Sequence, residues 1–283
     1  MSLRALRARW VCPCARSGRV LSDTTEKRSE TGISPRVLLQ VFVRSLALQL
    51  TWNDERMQNL GFAFAMAPAL RALYPDPEAR DDALRRHLEL FNTHPYLAVL
   101  VLGVSVHMEE VHVREGHGPV EAVSSFKSGT MGGFGALGDG FFWGSLRPAC
   151  VTTAAVGVLL GHPLFAVVGA WLFYFCVTIA FRAWAFVAGY RLGPAVTQSL
   201  QRLNLPRLGK WLRRYCVVNF AVLTVGIVWL LGGLGGGFTA WVLGSGVLLT
   251  IYGALQSERC GISVSLLTYV TSAIAVLVSV VFS

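Results

Sequence analysis

The chain has 283 residues, 53% of them hydrophobic and 14% charged, with a formal net charge of +9 and a mean hydropathy of +0.52. An average soluble domain is about 45–50% apolar and about 25% charged. The composition therefore excludes an ordinary soluble enzyme, and equally a disordered chain, which needs low hydrophobicity and high charge. The charge is also uneven: residues 1–139 hold 16 basic and 15 acidic side chains, whereas residues 140–283 hold 9 and 1. Basic residues between apolar runs follow the positive-inside pattern of membrane proteins, not the basic stripe of a nucleic-acid binder.

In chain order, residues 1–34 form a basic tail, predicted to be cytoplasmic and mostly disordered. It lacks the long apolar core of a secretory signal. Residues 35–50 place Arg44 and two glutamines on the polar positions of an otherwise apolar run. This pattern predicts an amphipathic helix, lying at an interface or packed on a partner. Residues 76–89 begin with acids and end with Arg85, Arg86 and His87, which suits a water-exposed helix and its dipole.

Three uncharged stretches follow: 34 residues from Pro148 to Phe181, 43 from Tyr215 to Ser257, and 24 from Cys260 to Ser283. About 20 apolar residues cross a bilayer as a helix. The first stretch breaks at Gly161-His162-Pro163 into 149–160 and 164–181. The shorter piece is half of a re-entrant hairpin or else extends back past Trp143. The second breaks at the glycine run 232–237 into spans near 215–231 and 239–256, and a last span runs near 261–282. The intervening segment 194–214 carries five basic residues and no acid, which predicts a cytoplasmic loop. The N-terminus then lies inside and Ser283 outside. Six cysteines form no C-x-x-C pair and read as small apolar fillers.

Three polar clusters adjoin the apolar runs. In Trp52-Asn53-Asp54-Glu55-Arg56-Met57-Gln58-Asn59, Asn53 or Asp54 is placed to cap a following helix. The alternative is a polar wall of a transport pathway or a subunit contact. In Phe91-Asn92-Thr93-His94-Pro95-Tyr96 the polar residues are placed to cap a helix whose first residue is Pro95. The alternative is a hydrogen-bonding corner for a sugar. The third is the glycine-rich run from Ser128 to Trp143 around Asp139. Arg147 is the expected partner of that acid, as a structural ion pair or as part of a functional site. His107, Glu109, Glu110 and His112 lack the H-E-x-x-H spacing of a zinc helix, and no phosphate loop is present. No metal, cofactor or catalytic residue is expected.

These motifs carry a resemblance. W-N-D-E-R-M-Q-N-L-G-F-A-F-A-M-A-P-A-L at 52–70, R-R-H-L-E-L-F-N-T-H-P-Y at 85–96 and G-A-L-G-D-G-F-F-W-G-S-L-R-P at 135–148 occur in the order found in the enzyme IID component of the mannose/fructose/sorbose-type sugar phosphotransferase system. The chain resembles that family strongly over 37–148 and moderately to 193. The resemblance implies a permease subunit of the bacterial inner membrane that pairs with an integral-membrane IIC component in a trimer of IIC–IID pairs with an elevator-like movement. It implies a hexose or amino sugar as substrate, phosphorylated by cytoplasmic IIAB proteins whose histidines carry the phosphoryl group. The IID chain is not itself phosphorylated in that scheme.

The expectation is an all-α, polytopic integral membrane protein with amphipathic helices and a candidate re-entrant pair. Its units are the tail 1–34, a motif region 35–193, the basic segment 194–214 and C-terminal spans over 215–283. Candidate substrate or pathway residues are Trp52, Asn53, Arg56, Asn59, Asn92, His94, Asp139 and Trp143. The competing reading is a non-transporting scaffold or regulatory subunit that stabilises IIC and docks the phosphotransfer proteins. No nucleic-acid partner is expected.

Overall fold

A computed structural model of the protein describes residues 32–116 and 121–232. Most of the tail 1–34, the glycine run 233–237 and the predicted spans 239–256 and 261–282 lie outside the described residues. Among those described, the regular elements are helices. They are α1 (Pro35–Ser45), α2 (Asn59–Leu73), α3 (Pro77–His87), α4 (Pro95–Glu115), α5 (Glu121–Gly138), a π-helical turn pair (Asp139–Leu146), α6 (Arg147–Leu159), α7 (Pro163–Leu192), α8 (Val196–Arg202) and α9 (Leu205–Gly232).

Proline punctuates most helix starts. Pro35, Pro77, Pro95 and Pro163 all stand in the first turn, where no N–H is needed. Asp76 caps α3 by accepting from the Ala79 N–H at 3.1 Å. Gly116 closes α4 at φ 64°, a left-handed position that glycine adopts freely.

Helix α4 is the axis of the fold. Leu97 to Leu102, Val104 and Val106 are all buried, so it is apolar on every face and other helices surround it. Helix α7 runs parallel to it. Gly103 lies against the Phe186 carbonyl and Gly189 against the Leu100 carbonyl, so each glycine lets the other backbone approach where no Cβ would fit. Helix α5 runs back antiparallel along α4, bringing Met131 to Thr93 and Gly138 to His94.

The chain from Glu121 to Leu159 is helical throughout. Of the two expectations for 149–160, continuation back past Trp143 therefore holds. A turn at 160–162 follows, with Gly161 at φ 86°, and α6 and α7 pack as a hairpin in which Gly157 meets Ala166. The hairpin presents Phe165, Val168, Trp171, Phe173 and Phe175 outward. Pro95–Glu115 and a stretch within 163–227 are long and apolar enough to cross a membrane. In their most apolar windows 67% of residues are buried in the first and only 6% in the second. The first is a core helix of the bundle; the second turns its apolar side chains away from the protein.

The segment 194–214 departs from the expected loop. It is helical almost throughout, as α8 and the start of α9. Its basic residues ride on an amphipathic surface, with Val196, Leu200 and Leu205 buried beneath them. Helix α1 is amphipathic as predicted: Val41 is buried while Leu39 and Val43 are exposed, and Phe42 meets Phe186 of α7 at a centroid distance of 5.9 Å.

Candidate functional site

The first two motifs meet in one knot. Residues 52–58 are not the helix start expected of them. They form a tight turn closed by reciprocal Asn53 and Met57 backbone bonds, with Met57 at φ 58°. Helix α2 begins only at Asn59, and Gln58 at its N-cap makes no capping bond to it. Asn53 instead holds its own turn: its Oδ1 accepts from the Arg56 N–H at 2.8 Å and its Nδ2 donates to Asn59 Oδ1 at 2.9 Å. Asn59 Nδ2 and Arg56 both donate to the Leu88 carbonyl, at 2.9 and 3.4 Å. Gln58 then pairs with Thr93 like a strand residue, its Nε2 donating to the Thr93 carbonyl at 2.7 Å and its Oε1 accepting the Thr93 N–H at 3.2 Å. Trp52 stays outside this knot, half exposed on the turn.

The second and third motifs meet at the start of α4. His94 caps α4 as predicted: its Nδ1 accepts from the Tyr96 N–H at 3.3 Å. A neutral imidazole that accepts at Nδ1 carries its proton on Nε2, and that Nε2 is buried with no hydrogen-bond partner. The ring is walled by Phe142 (5.2 Å, stacked), Trp143 (4.7 Å) and Tyr96 (4.8 Å, edge-on). Burial, assisted by the nearby Arg182 charge, lowers the His94 pKa to about 4, so the ring is neutral at physiological pH.

The aromatic wall depends on the π-helical segment. Arg147 N–H reaches back five residues to the Phe142 carbonyl, and Ser145 Oγ donates to the Gly140 carbonyl at 2.7 Å. Pro148 follows directly. A proline inside a helix removes a donor and crowds the carbonyl four residues before it, so a widened turn there relieves the clash. Such π segments recur at functional sites. Here the widening packs Phe141 and Phe142 inward while Trp143 stays 44% exposed. Asp139 and Asn92 are also exposed at this corner. Gly138 is pressed on His94, and the Asn92 N–H meets Met131 Sδ at 3.3 Å.

The expected Asp139–Arg147 ion pair does not form. Arg86 pairs with Glu109 and Arg114 with Glu110, and the His87 ring hydrogen-bonds Glu109. Asp139 and Arg147 are exposed at opposite ends of the eight-residue π segment, and two helical turns of separation exceed ion-pair reach. Thus Asn53, Arg56 and Asn59 join one network, and Asn92, His94, Asp139 and Trp143 gather at a second corner, bridged to the first through Gln58 and Thr93.

A buried charged cluster escaped sequence reasoning. Glu109 accepts from Tyr74 OH (2.6 Å), Arg86 (3.0 Å) and His87 Nε2 (3.0 Å). Lys127 lies beside it, donating to the Arg86 carbonyl at 3.1 Å with its ammonium 4.8 Å from the Phe62 ring. Burial lowers the His87 pKa and brings that of Lys127 down to about 8. The available signal was an acid at the end of an apolar run. Glu110 similarly accepts from Tyr190 OH (2.6 Å) and the Ile33 N–H (3.2 Å). An apolar groove of about 490 Å³ between the hairpin tip and α9, lined by Leu159, Val222, Val225 and Trp229 among others, lacks the polar groups that orient a sugar.

The model of one protein family, described as the mannose/fructose/sorbose family IID component of the PTS system, matches residues 32–229. Among curated proteins, the mannose-specific EIID component of Escherichia coli strain K12 is 38% identical over 183 residues, which is 63% of this chain and 63% of that protein. The fructose permease IID component of Bacillus subtilis is 32% identical over 182 residues, 63% of this chain and 65% of that protein. The chain thus matches somewhat less than two thirds of the length of these relatives. Of solved structures, a chain of the complex of mannose transporter ManYZ with microcin E492 superposes with a TM-score of 0.54 at 26% identity, covering 87% of this chain and 96% of that one. A chain described as a membrane protein superposes with a TM-score of 0.62 at 26% identity, covering 87% and 97%.

Proposed function

From the premise that the chain belongs to the mannose/fructose/sorbose family of phosphotransferase-system IID components, all-α integral membrane proteins, we propose that it is the IID subunit of a sugar permease. It works with a IIC membrane partner to move a hexose or amino sugar across the bacterial inner membrane, and separate cytoplasmic IIAB proteins phosphorylate that sugar. The assembly is a trimer of IIC–IID pairs in which one packed unit moves against another around the sugar site. The N-terminus and the basic segment 194–214 face the cytoplasm.

The observation that carries this reading is the corner at the start of α4. There Trp143 offers an aromatic face and Asn92 and Asp139 offer exposed polar groups, with Asp139 and Trp143 carried by the π segment. Sugar recognition needs directional hydrogen bonds beside an apolar face. His94 supports the wall from behind. Arg56 and Asn59 hold the Leu88 carbonyl, with Asn53 bonded to Asn59, and so position the segment that carries Asn92. Trp52, exposed on the neighbouring turn, is assigned to the contact with IIC.

The test is uptake of labelled hexose by cells expressing this chain with its IIC and IIAB partners. Asn92→Ala and Asp139→Asn should each reduce uptake by about tenfold or more, the loss of one good hydrogen bond to a charged or bound group. IIC must still co-purify with the variant chain. Unchanged uptake by both variants, with the complex intact, would favour the scaffold reading.

A further inference from the structure

Among the described residues, Arg182 is a charge without a counter-charge. It follows 18 uncharged residues of α7 from Leu164 and precedes eight more before Arg191. Its guanidinium lies 4.5 Å from the centroid of the Tyr96 ring, and its Nε is buried with no hydrogen-bond partner. No ion pair joins it to any acid among the described residues. The two buried acids of the neighbouring helix are engaged elsewhere, Glu109 with Arg86 and His87, Glu110 with Arg114 and Tyr190. From residue 140 to the end the chain contains a single acid, Glu258, outside the described residues.

The surroundings also ask for acceptors. His94 Nε2, a second buried donor without a partner, stands on the same Tyr96 ring at a centroid distance of 4.8 Å. Tyr96 OH is engaged with Tyr174 OH at 3.2 Å. A cation–π contact compensates part of a guanidinium's lost hydration, but it leaves the formal charge and the Nε–H unpaired. A buried charge is tolerated when it is both neutralised and hydrogen-bonded. Sugar hydroxyls would accept hydrogen bonds but would not neutralise the charge. A carboxylate does both, in the bidentate geometry that arginine favours.

We propose that Arg182 is an intersubunit anchor that receives the carboxylate of an Asp or Glu from an apolar helix of the membrane partner. The inference rests on the reading that the chain has such a partner. The counter-charge comes from outside because this half of the chain is depleted of acids, and that depletion makes the isolated subunit electrostatically incomplete. The contact lies beside the His94–Trp143 corner, so it would tie the partner to the same place where the sugar-facing groups gather.

The experiment co-expresses the tagged chain with its IIC partner and measures the partner retained after purification in detergent, for wild type, Arg182→Met and Arg182→Lys. In parallel, each Asp and Glu in the apolar helices of the partner is changed to its amide, which leaves this chain untouched. Arg182→Met should lower retention about tenfold, with Arg182→Lys intermediate. One partner amide should cause the same loss, and the double variant should be no worse than either single one. Full retention by Arg182→Met overturns the anchor while leaving the permease reading standing; a wild-type chain that retains no partner overturns both. If no partner amide matters but Glu258→Gln reproduces the loss, the acid belongs to this chain and the proposal fails. It fails likewise if Arg182→Met weakens the complex only in vesicles containing phosphatidylglycerol, which makes the anion a lipid, or lowers sugar affinity without lowering retention.

Discussion

At the residue scale, individual side chains here repair breaks in backbone hydrogen bonding. Pro68 lies inside α2 and cannot bond the Phe64 carbonyl four residues earlier. Arg44 of α1 donates to that carbonyl at 3.3 Å and lays its guanidinium 4.6 Å from the Phe64 centroid. At Gly138 the demand is steric. A Cβ there would fall on the His94 ring, whose cap bond prevents retreat. Gly138→Ala should therefore cost about 1–3 kcal/mol by overpacking, read as a lower melting temperature of the purified protein. The same ring gives a pH dependence. Its folded pKa of about 4 lies below the ordinary 6.5, so the unfolded chain binds the proton first. The stability it contributes is complete above pH 6.5 and declines as pH falls from there towards 4. His94→Gln should flatten that part of a melting-temperature profile measured from pH 7 to pH 4.

At the scale of elements, Glu109 of α4 is the post at which three other helices gather. It gathers Tyr74 from the end of α2, Arg86 and His87 from α3, and faces Lys127 of α5. The predicted solvated face of α3 is therefore only part of its surface. Ala83 and His87 turn inward, and His87 is fully buried between Phe62 and Glu109. Removing one partner of a buried pair leaves the other charge uncompensated. Glu109→Gln should cost about 3–5 kcal/mol and free α3 first, so limited proteolysis should cut near 76–88 in the variant and spare the wild type. Glu109→Gln that melts like wild type with an intact α3 would show that the cluster does not hold these helices together.

At the scale of the molecule, a polar seam joins α9 to the π segment and α6. Arg213 donates to Ser145 Oγ at 2.7 Å, Ser145 donates onward to the Gly140 carbonyl, and Asn219 Nδ2 donates to Thr152 Oγ1 at 3.1 Å. The seam connects the outward-facing apolar hairpin to the corner that carries His94 and Trp143. Ser145→Ala would leave the Gly140 carbonyl and the Arg213 guanidinium short of a partner, a loss of about 1–3 kcal/mol. Its specific mark should be faster amide hydrogen exchange over 139–146, with α4 unchanged. Equal exchange in variant and wild type would mean that packing alone holds the π segment.

The sequence by itself determined the all-α class, the apolar hairpin about Gly161-His162-Pro163, the proline-started helices and the His94 cap. Those features follow from local chemistry: hydrophobic runs too long for a soluble core, and proline and glycine at positions where only they are unstrained. The three motifs also carried the family. Tertiary structure decided what the polar residues do. Asn53 was placed to cap a helix and instead folds a turn: it bonds Asn59, whose own amide finds the Leu88 carbonyl only once 52–59 and 88–93 are brought side by side. Asp139 and Arg147 carry opposite charges at a suggestive spacing, yet the π segment sets them apart. Glu109 drew notice only as a poor metal ligand, because its partners come from 22 and more residues away. The basic segment 194–214 read as loop by its charge, and burial of Val196, Leu200 and Leu205 against the bundle makes it helix. Periodicity and punctuation are written in neighbours along the chain. Hydrogen-bond partners across 20 to 80 residues are chosen only when α4 has been wrapped by the helices around it.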